Sequence, residues 1–412
     1  GTNAWLLPGI SSSTASKGTI AQTPKMISPY ITWEKVDNAN LGFDLMLFKN
    51  RLSITADLYQ RTTRDMIGPA ESIPSISGIA SEDRAKVNNA TLRNRGWELS
   101  VSWNDKLKCG FSYGVGFNVF NYKAVVTKYN NPEGIIYNNH TGLAANKGYY
   151  EGMDLGEIWG YRADDLFLSN REIDDYLRKV DLTAFKSNDL WRRGDLKYID
   201  TNGDGRVDGG KGTLSDHGDL QVIGNTTPKY SFGINLNLGY KGFEVSTLLQ
   251  GVAKRDFPIA GSNYMFGGNN YNFKEHLDYF STENPNGYLP RLTGWKDDKD
   301  FLVNTGYNTT RYLLNAAYMR MKNLTVAYTF NKKQLKHIGI SNLKVYVTCD
   351  NLFTITKLPK QFDPETLNQV NMSAGGDAKN TAPGLTSPMK QNGNGMVYPM
   401  NRNFVFGLDF TF

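Results

Sequence analysis

No part of the 412-residue chain approaches the ~18 continuous apolar residues that a membrane-crossing helix needs. Mean hydropathy is polar, at −0.47. Cysteine is nearly absent: Cys109 and Cys349 allow one disulfide at most, which excludes a disulfide-stapled scaffold. Cys349 falls on an apolar strand face, where a buried free thiol is the ordinary reading. The four histidines, His140, His217, His276 and His337, show no metal-ligand spacing, and no G-x-S-x-G elbow occurs, so no enzyme is indicated. A net charge of +6 is small and of mixed sign. It suits solvated turns and loops and points to no nucleic acid. The chain starts at Gly1 with neither Met nor signal peptide, and reads as a mature or truncated product.

What the chain does have is alternation. Phe404, Phe406, Leu408, Phe410 and Phe412 share one strand face, and Asn403, Val405, Gly407, Asp409 and Thr411 share the other. In 229–240, Tyr230, Phe232, Ile234, Leu236, Leu238 and Tyr240 oppose Ser231, Gly233, Asn235, Asn237 and Gly239. That apolar face is aliphatic in the middle and aromatic at both ends, as two membrane interfaces require. Trp97, Leu99, Val101 and Trp103 repeat it, as do Phe111, Tyr113, Val115, Phe117 and Val119. Apolar rows backed by Gly, Ser and Asn fit strands with lipid outside and water inside. A polar average hydropathy is no objection, because only half of each barrel strand is apolar.

The pattern predicts nine strands, near 39–48, 51–62, 95–104, 110–122, 229–240, 242–253, 317–330, 342–353 and 403–412. Their connections alternate strictly. Short ones lie at Lys49-Asn50, Asn104–Lys108, Lys241-Gly242 and Asn331–Ser341; long ones lie at 63–92, 123–228, 254–316 and 354–402. Short periplasmic turns and long outside loops are the rule of outer-membrane barrels, so the fold class is an all-β, transmembrane, antiparallel up-and-down β-barrel. Nine strands would leave open edges in lipid, so the chain is expected to be part of a larger barrel.

With these segments in hand, the chain resembles SusC/RagA-like TonB-dependent outer-membrane transporters. The resemblance rests on Trp33-Glu34-Lys35 with GFDLMLFKNRLSITADLYQRTTRDMI, then RNRGWELSVSW, EGMDLGEIWGYRADDLF and the block running from IDTNGDGRVDGG to GYKGFEVSTLLQG. It continues through YMRMKNLTVAYTF, LKVYVTCDNLFTIT, Asp363-Pro364-Glu365 and the closing NFVFGLDFTF, in family order from about residue 30 onward. The resemblance implies that residues 1–412 are the C-terminal portion of a 22-stranded barrel, with plug domain and earlier strands absent. It implies import of large nutrients across the outer membrane of a Gram-negative bacterium, oligosaccharides first and oligopeptides next. The implied partners are a SusD-like surface lipoprotein as lid, TonB acting through the missing N-terminal part, and outer-membrane lipid. A passive porin or structural barrel is the alternative.

Three local features are candidate sites. Asp200, Asn202 and Asp204 stand at positions 1, 3 and 5 of an EF-hand-type calcium loop, with Gly205 at 6, Arg206 supplying a carbonyl at 7 and Asp208 at 9. Position 12 is Lys211 where a bidentate Glu belongs, with Asp216 or Asp219 as substitutes; a bare Asx/Gly turn is the other reading. Tyr264, Phe266, Tyr271 and Phe273, among glycines and asparagines, suit substrate binding or packing on a partner or on the loop itself. Phe412 resembles the C-terminal signal by which outer-membrane barrels are recognised for assembly. A capping pattern at Ser169-Asn170-Arg171-Glu172 predicts a helix over 170–180 as loop scaffold.

Overall fold

The computed structural model describes residues 28–68, 85–136, 149–163, 165–260, 265, 274–293, 299–331, 335, 340–367 and 400–411. Its main sheet is a meander of nine long strands, each paired antiparallel with its chain neighbour. They are β1 Lys35–Leu47, β2 Leu52–Gly68, β3 Val87–Lys106, β4 Ser112–Lys128 and β5 Lys229–Tyr240. Then follow β6 Phe243–Lys254, β7 Tyr318–Thr329, β8 Asn342–Asp350 and β9 Asn403–Thr411. A short strand, Thr354–Thr356, adds to the top of β7 beyond the end of β8. All nine expected strands are present and in the expected order. No helix among the described residues is long and apolar enough to cross a membrane.

Strand pairing carries the two faces across the sheet. Leu45, Ile54, Val101, Phe117, Ile234 and Leu249 stand opposite one another on β1 to β6. On β7 to β9, Val326, Val347 and Phe406 continue the same face. The opposite face carries the row Met46, Ser53, Ser102, Gly116, Asn235, Leu248, Asn323, Asp350 and Asn403. Polar groups on that inner face bond across strands: Thr55 Oγ1 donates to Asp44 at 2.7 Å and Asn323 Nδ2 donates to Asp350 at 3.0 Å. Two inner tyrosines, Tyr59 and Tyr346, lie over Gly96 and Gly407, leaving no room for a Cβ at either glycine. The outer rings and aliphatic chains are left bare, with Phe406 79% exposed and Leu408 67%. Lipid, not protein, covers such a face. Both cysteines are free, Cys109 exposed and Cys349 half-buried on the lipid face beside Leu324 and Phe404.

The short connections are tight. β5 and β6 are joined by Lys241 and Gly242 alone, with φ of 46° and 91°, the two positive values a type I′ hairpin requires. At the same end, Phe48, Lys49 and Asn50 all hold positive φ between β1 and β2.

Strands β2, β3 and β4 run 17, 20 and 17 residues, against the about 9–11 that span a bilayer. Beyond the lipid belt their polarity reverses. Leu92, Ala124 and Val126, on the inner face, now pack inward, while Arg93, Arg95 and Lys123 point outward. The buried core of the molecule lies here, in an extracellular cap made by the long connections. It gathers Trp159, Tyr161, Phe167, Phe185, Tyr198 and Tyr312 with aliphatic residues from 126 to 367. Small two-stranded pairings brace the cap, such as Glu157–Gly160 with Gln221–Asn225 and Asp256–Pro258 with Leu313–Asn315. The expected helix forms as α1, Asn170–Leu177, with Ser169 Oγ accepting the Glu172 N–H at 3.1 Å.

Spin labels at mid-strand neighbours test the orientation. A label at Leu236 is expected to meet lipid-soluble quencher and one at Asn235 water-soluble quencher; the reverse result overturns the orientation, and two protein-buried labels overturn the membrane span. Phe412 lies outside the described residues. Its deletion is expected to slow membrane assembly far beyond the effect of Phe410→Leu, read as the rate of appearance of folded barrel. Normal assembly would leave it only a burial worth about 1.5–3 kcal/mol.

Candidate functional site

The cap is held by two buried ionic assemblies. Lys186, fully buried, donates to Asp195 at 2.7 Å and to Asp300 at 2.6 Å. Arg291 reaches the same two carboxylates, at 2.6 and 2.5 Å. Asn304 donates to Asp195 at 2.8 Å, and the Arg192 N–H donates to it at the same distance. The Trp191 ring lies 4.6 Å from the Lys186 ammonium. Two cations thus face two carboxylates, and the group ties residues 186–195 to Arg291, Asp300 and Asn304, from two different long connections. Burial alone would raise the Asp300 carboxyl, but hydrogen bonds from Lys186 and Arg291 outweigh it and hold it below the usual carboxylate range.

The second assembly lies where the cap meets the barrel mouth. Arg320 on β7 shares its inner face with Gln250 and pairs with Asp363 at 2.8 Å and Glu365 at 2.9 Å. Lys322 joins Glu365 at 2.8 Å, and Thr354 Oγ1 accepts from Arg320 at 2.7 Å. The Asp363 carboxylate also accepts the Met400 N–H at 3.0 Å, so it fixes where the chain returns toward β9. Burial would raise Asp363, yet the Arg320 bond, the Glu365 and Met400 N–H groups and the Arg320 charge leave it lowered. The Asp363-Pro364-Glu365 triplet is therefore an anchor of the last long connection on β7.

The calcium-type loop is a compact turn. Asp200 accepts the Gly203 N–H at 2.6 Å and the Gly205 N–H at 2.8 Å. Both glycines sit at positive φ, 80° and 85°. Asn202 Oδ1 accepts the Asp204 N–H at 2.9 Å, and Asp204 accepts the Arg206 N–H at the same distance. Asp219 reaches in from outside, its buried carboxylate accepting from the Thr201 N–H at 2.7 Å and the Asp208 N–H at 2.9 Å. The residues fit a divalent cation in part. Asp200, Asn202 and Asp204 bring oxygens to one turn, but Asp208 pairs with Arg206 at 3.0 Å and Lys211 faces Asp216 at 3.8 Å. Among the described residues no group of three or more His, Cys, Asp or Glu is gathered to hold a metal. The aromatic candidates Tyr264, Phe266, Tyr271 and Phe273 lie outside the described residues, although Met265 between them is fully buried in the cap core. The two ionic assemblies escaped the sequence reading because their members lie up to 114 residues apart. Only the Asp363-Pro364-Glu365 triplet carried a signal.

A transmembrane meander with lipid outside, polar groups inside and a folded cap over one end defines an outer-membrane β-barrel of receptor type. The family model described as "TonB dependent receptor-like, beta-barrel" matches residues 3–352, and the chain belongs to that family. It is 26% identical over 385 residues to a TonB-dependent receptor of Formosa agariphila, covering 93% of this chain and 34% of that protein. To TonB-dependent receptor SusC of Bacteroides thetaiotaomicron it is 22% identical, over 84% of this chain and 31% of the relative. Among solved structures, the RagAB peptide transporter superposes with a TM-score of 0.63 at 20% identity, over 97% of this chain and 38% of that one. The chain thus spans about a third of the length of the proteins it matches. These matched proteins are described as TonB-dependent receptors and as a peptide transporter.

Removing one partner of the buried group strands a charge, so Asp195→Ala is expected to destabilise the cap by about 3–5 kcal/mol in denaturant unfolding. Because Asp300 and Asp363 titrate lower folded than unfolded, their contribution is complete above about pH 4 and falls away as pH drops through their lowered values. Amide-exchange protection, taken relative to the intrinsic rate at each pH, should fall over that acid range across 186–195, 291–293 and 299–304. Calcium at the 200–208 loop is tested by melting curves: a calcium-dependent rise in wild type that vanishes in Asp204→Ala supports the site, and identical curves remove it.

Proposed function

We propose that this chain forms the C-terminal portion of a 22-stranded, plugged barrel that imports large nutrients with energy from TonB. The observation that carries the reading is the register-matched meander, with a lipid face and a polar lumen face, inside a chain of the TonB-dependent receptor family. The folded cap supports a gated importer over a passive pore, since the long connections bury their own core and fold part of it onto the barrel mouth at Arg320. A SusD-like lipoprotein would close over this cap as a lid. Oligosaccharides are the first substrate class and oligopeptides the second; the likeness to the RagAB peptide transporter is what supports keeping oligopeptides beside sugars.

The full-length gene product decides between importer and porin. Uptake that stops when the TonB-interacting segment is deleted, together with co-purification of a surface lipoprotein, supports import. Solute flux through proteoliposomes without TonB, at a rate that rises as solutes shrink, would establish the porin. A binding screen of the intact complex against oligosaccharide and oligopeptide sets then orders the two substrate classes, and binding of peptides alone reverses the order given.

A further inference from the structure

The lipid belt has a measurable height on the outer face. Its periplasmic border is the row Asp105, Tyr113 and Leu238, and its last ring toward the cap on β3 is Trp97. Two residues beyond Trp97 stands Arg95, directly opposite Lys123 on β4 and Gln60 on β2. From Asp105 to Arg95 is ten steps. At about 3.3 Å per residue and a tilt of about 40°, that is roughly 25 Å along the membrane normal, the height of a barrel's apolar band. Arg95 and Lys123 therefore stand at the extracellular border of the hydrocarbon, where lipid headgroups begin. Arg93, two residues further, faces the same way opposite Val125 and Thr62.

Among the described residues, nothing in the protein compensates these cations. Like charges directly opposite on neighbouring strands repel, and Arg95 and Lys123 are such a pair. Among the described residues none of the three makes an ion pair; Arg95 Nε donates to the neutral Gln60 at 2.5 Å. Asp37, two strands from Arg93 in register, is already held by Arg64 at 2.6 Å. Glu98 and Asp57 project from the lumen face and cannot reach round the sheet. Arg95 and Lys123 are exposed, and Arg93 is half-buried.

We propose that Arg93, Arg95 and Lys123 form a binding site for the phosphate groups of outer-leaflet lipid headgroups. The two planar guanidiniums match phosphate oxygens in pairs, and the ammonium adds a point charge. The ligand supplies the negative charge that the strand pairing leaves missing. Its height ties it to a headgroup, since a soluble anion gains nothing from sitting at the hydrocarbon border.

The test uses the full-length transporter purified in detergent, with three probes. They are a phosphorylated outer-leaflet glycolipid, the same glycolipid after phosphatase treatment, and inorganic pyrophosphate. Wild type is expected to retain the phosphorylated lipid, as counted by native mass spectrometry, and to lose it as salt is raised. Each cation near an anionic surface is worth roughly fivefold in affinity, so Arg93→Gln/Arg95→Gln/Lys123→Gln should bind about a hundredfold more weakly. Lys106→Gln, at the other end of β3, should bind as wild type does. Heat-modifiable migration on gels confirms that each variant is folded. If the triple variant misfolds, the salt dependence of wild type and the phosphatase control still decide. Equal retention of phosphorylated and dephosphorylated lipid overturns the site, as does unchanged binding in the folded triple variant. Displacement of the lipid by an equal concentration of pyrophosphate overturns the lipid as its source of phosphate.

Discussion

Within the hydrocarbon, water is missing as a hydrogen-bond partner, and each unsatisfied backbone group costs several kcal/mol. A sheet meets this demand only if every strand is paired along its length and its side-chain alternation is in step with its neighbours. That second condition is severe, because a slip of one residue would move a whole row to the wrong face. Here the row Leu45, Ile54, Val101, Phe117, Ile234 and Leu249 is unbroken across six strands. The irregularities in the β2–β3 and β3–β4 pairings fall beyond the belt, around Met66 and Leu92, where backbone can be satisfied by water or by the cap. The shift between β6 and β7 gives the extra residue Lys322, and its ammonium finds Glu365. A bulge that re-aims one side chain is thereby put to use at the mouth of the barrel.

The same strands obey two solvents in succession. In the belt, apolar side chains face out and the inner face holds Ser, Gly and Asn. Past Arg95 the arrangement inverts, and Leu92, Ala124 and Val126 bury themselves against the cap as in a water-soluble protein. The long connections pack on one another and bury a hydrophobic core of their own. The ionic groups of the cap do a different task. A buried ion pair is seldom a net source of stability against well-packed apolar residues, since desolvation cancels much of the attraction. What the Lys186, Asp195, Arg291 and Asp300 group provides is alignment. Two distant segments can satisfy their charges in one relative position only.

The strands were legible because period two survives as a local signal, and the type of each connection could be read from its length. The upper parts of β2, β3 and β4 were not. Sequence alternation predicts ends near 62, 95 and 122, whereas the strands continue to Gly68, begin at Val87 and reach Lys128. Those stretches change polarity at the membrane surface, so the apolar residues shift faces and the pattern blurs. β8 errs the other way, ending at Asp350 because Asn351 turns to positive φ and the chain crosses to β7. The cap core was invisible for another reason. Its contacts join residues from 126 to 367 in an irregular backbone, and no short-range period records them.

Charge placement follows from the same accounting of solvent. Wherever a charged group is sealed from water, the chain supplies a partner: Lys186 has two carboxylates, and Arg320 has Asp363 and Glu365. Across the lumen end, Lys344 and Glu244 pair at 2.6 Å although both are partly exposed. At the outward rim Arg95 and Lys123 stand directly opposite one another, and among the described residues no acid pairs with either. A buried pair of this kind would be ruled out by desolvation. An exposed pair facing bulk water would cost little, because the high dielectric constant of water holds the repulsion of two unit charges to about 1 kcal/mol at 4 Å. At the edge of the hydrocarbon neither limit applies: one side of the pair is low-dielectric and the other is a layer of headgroups. Repulsion there is stronger than in water, and the counter-charge that relieves it must come from the membrane side of the protein.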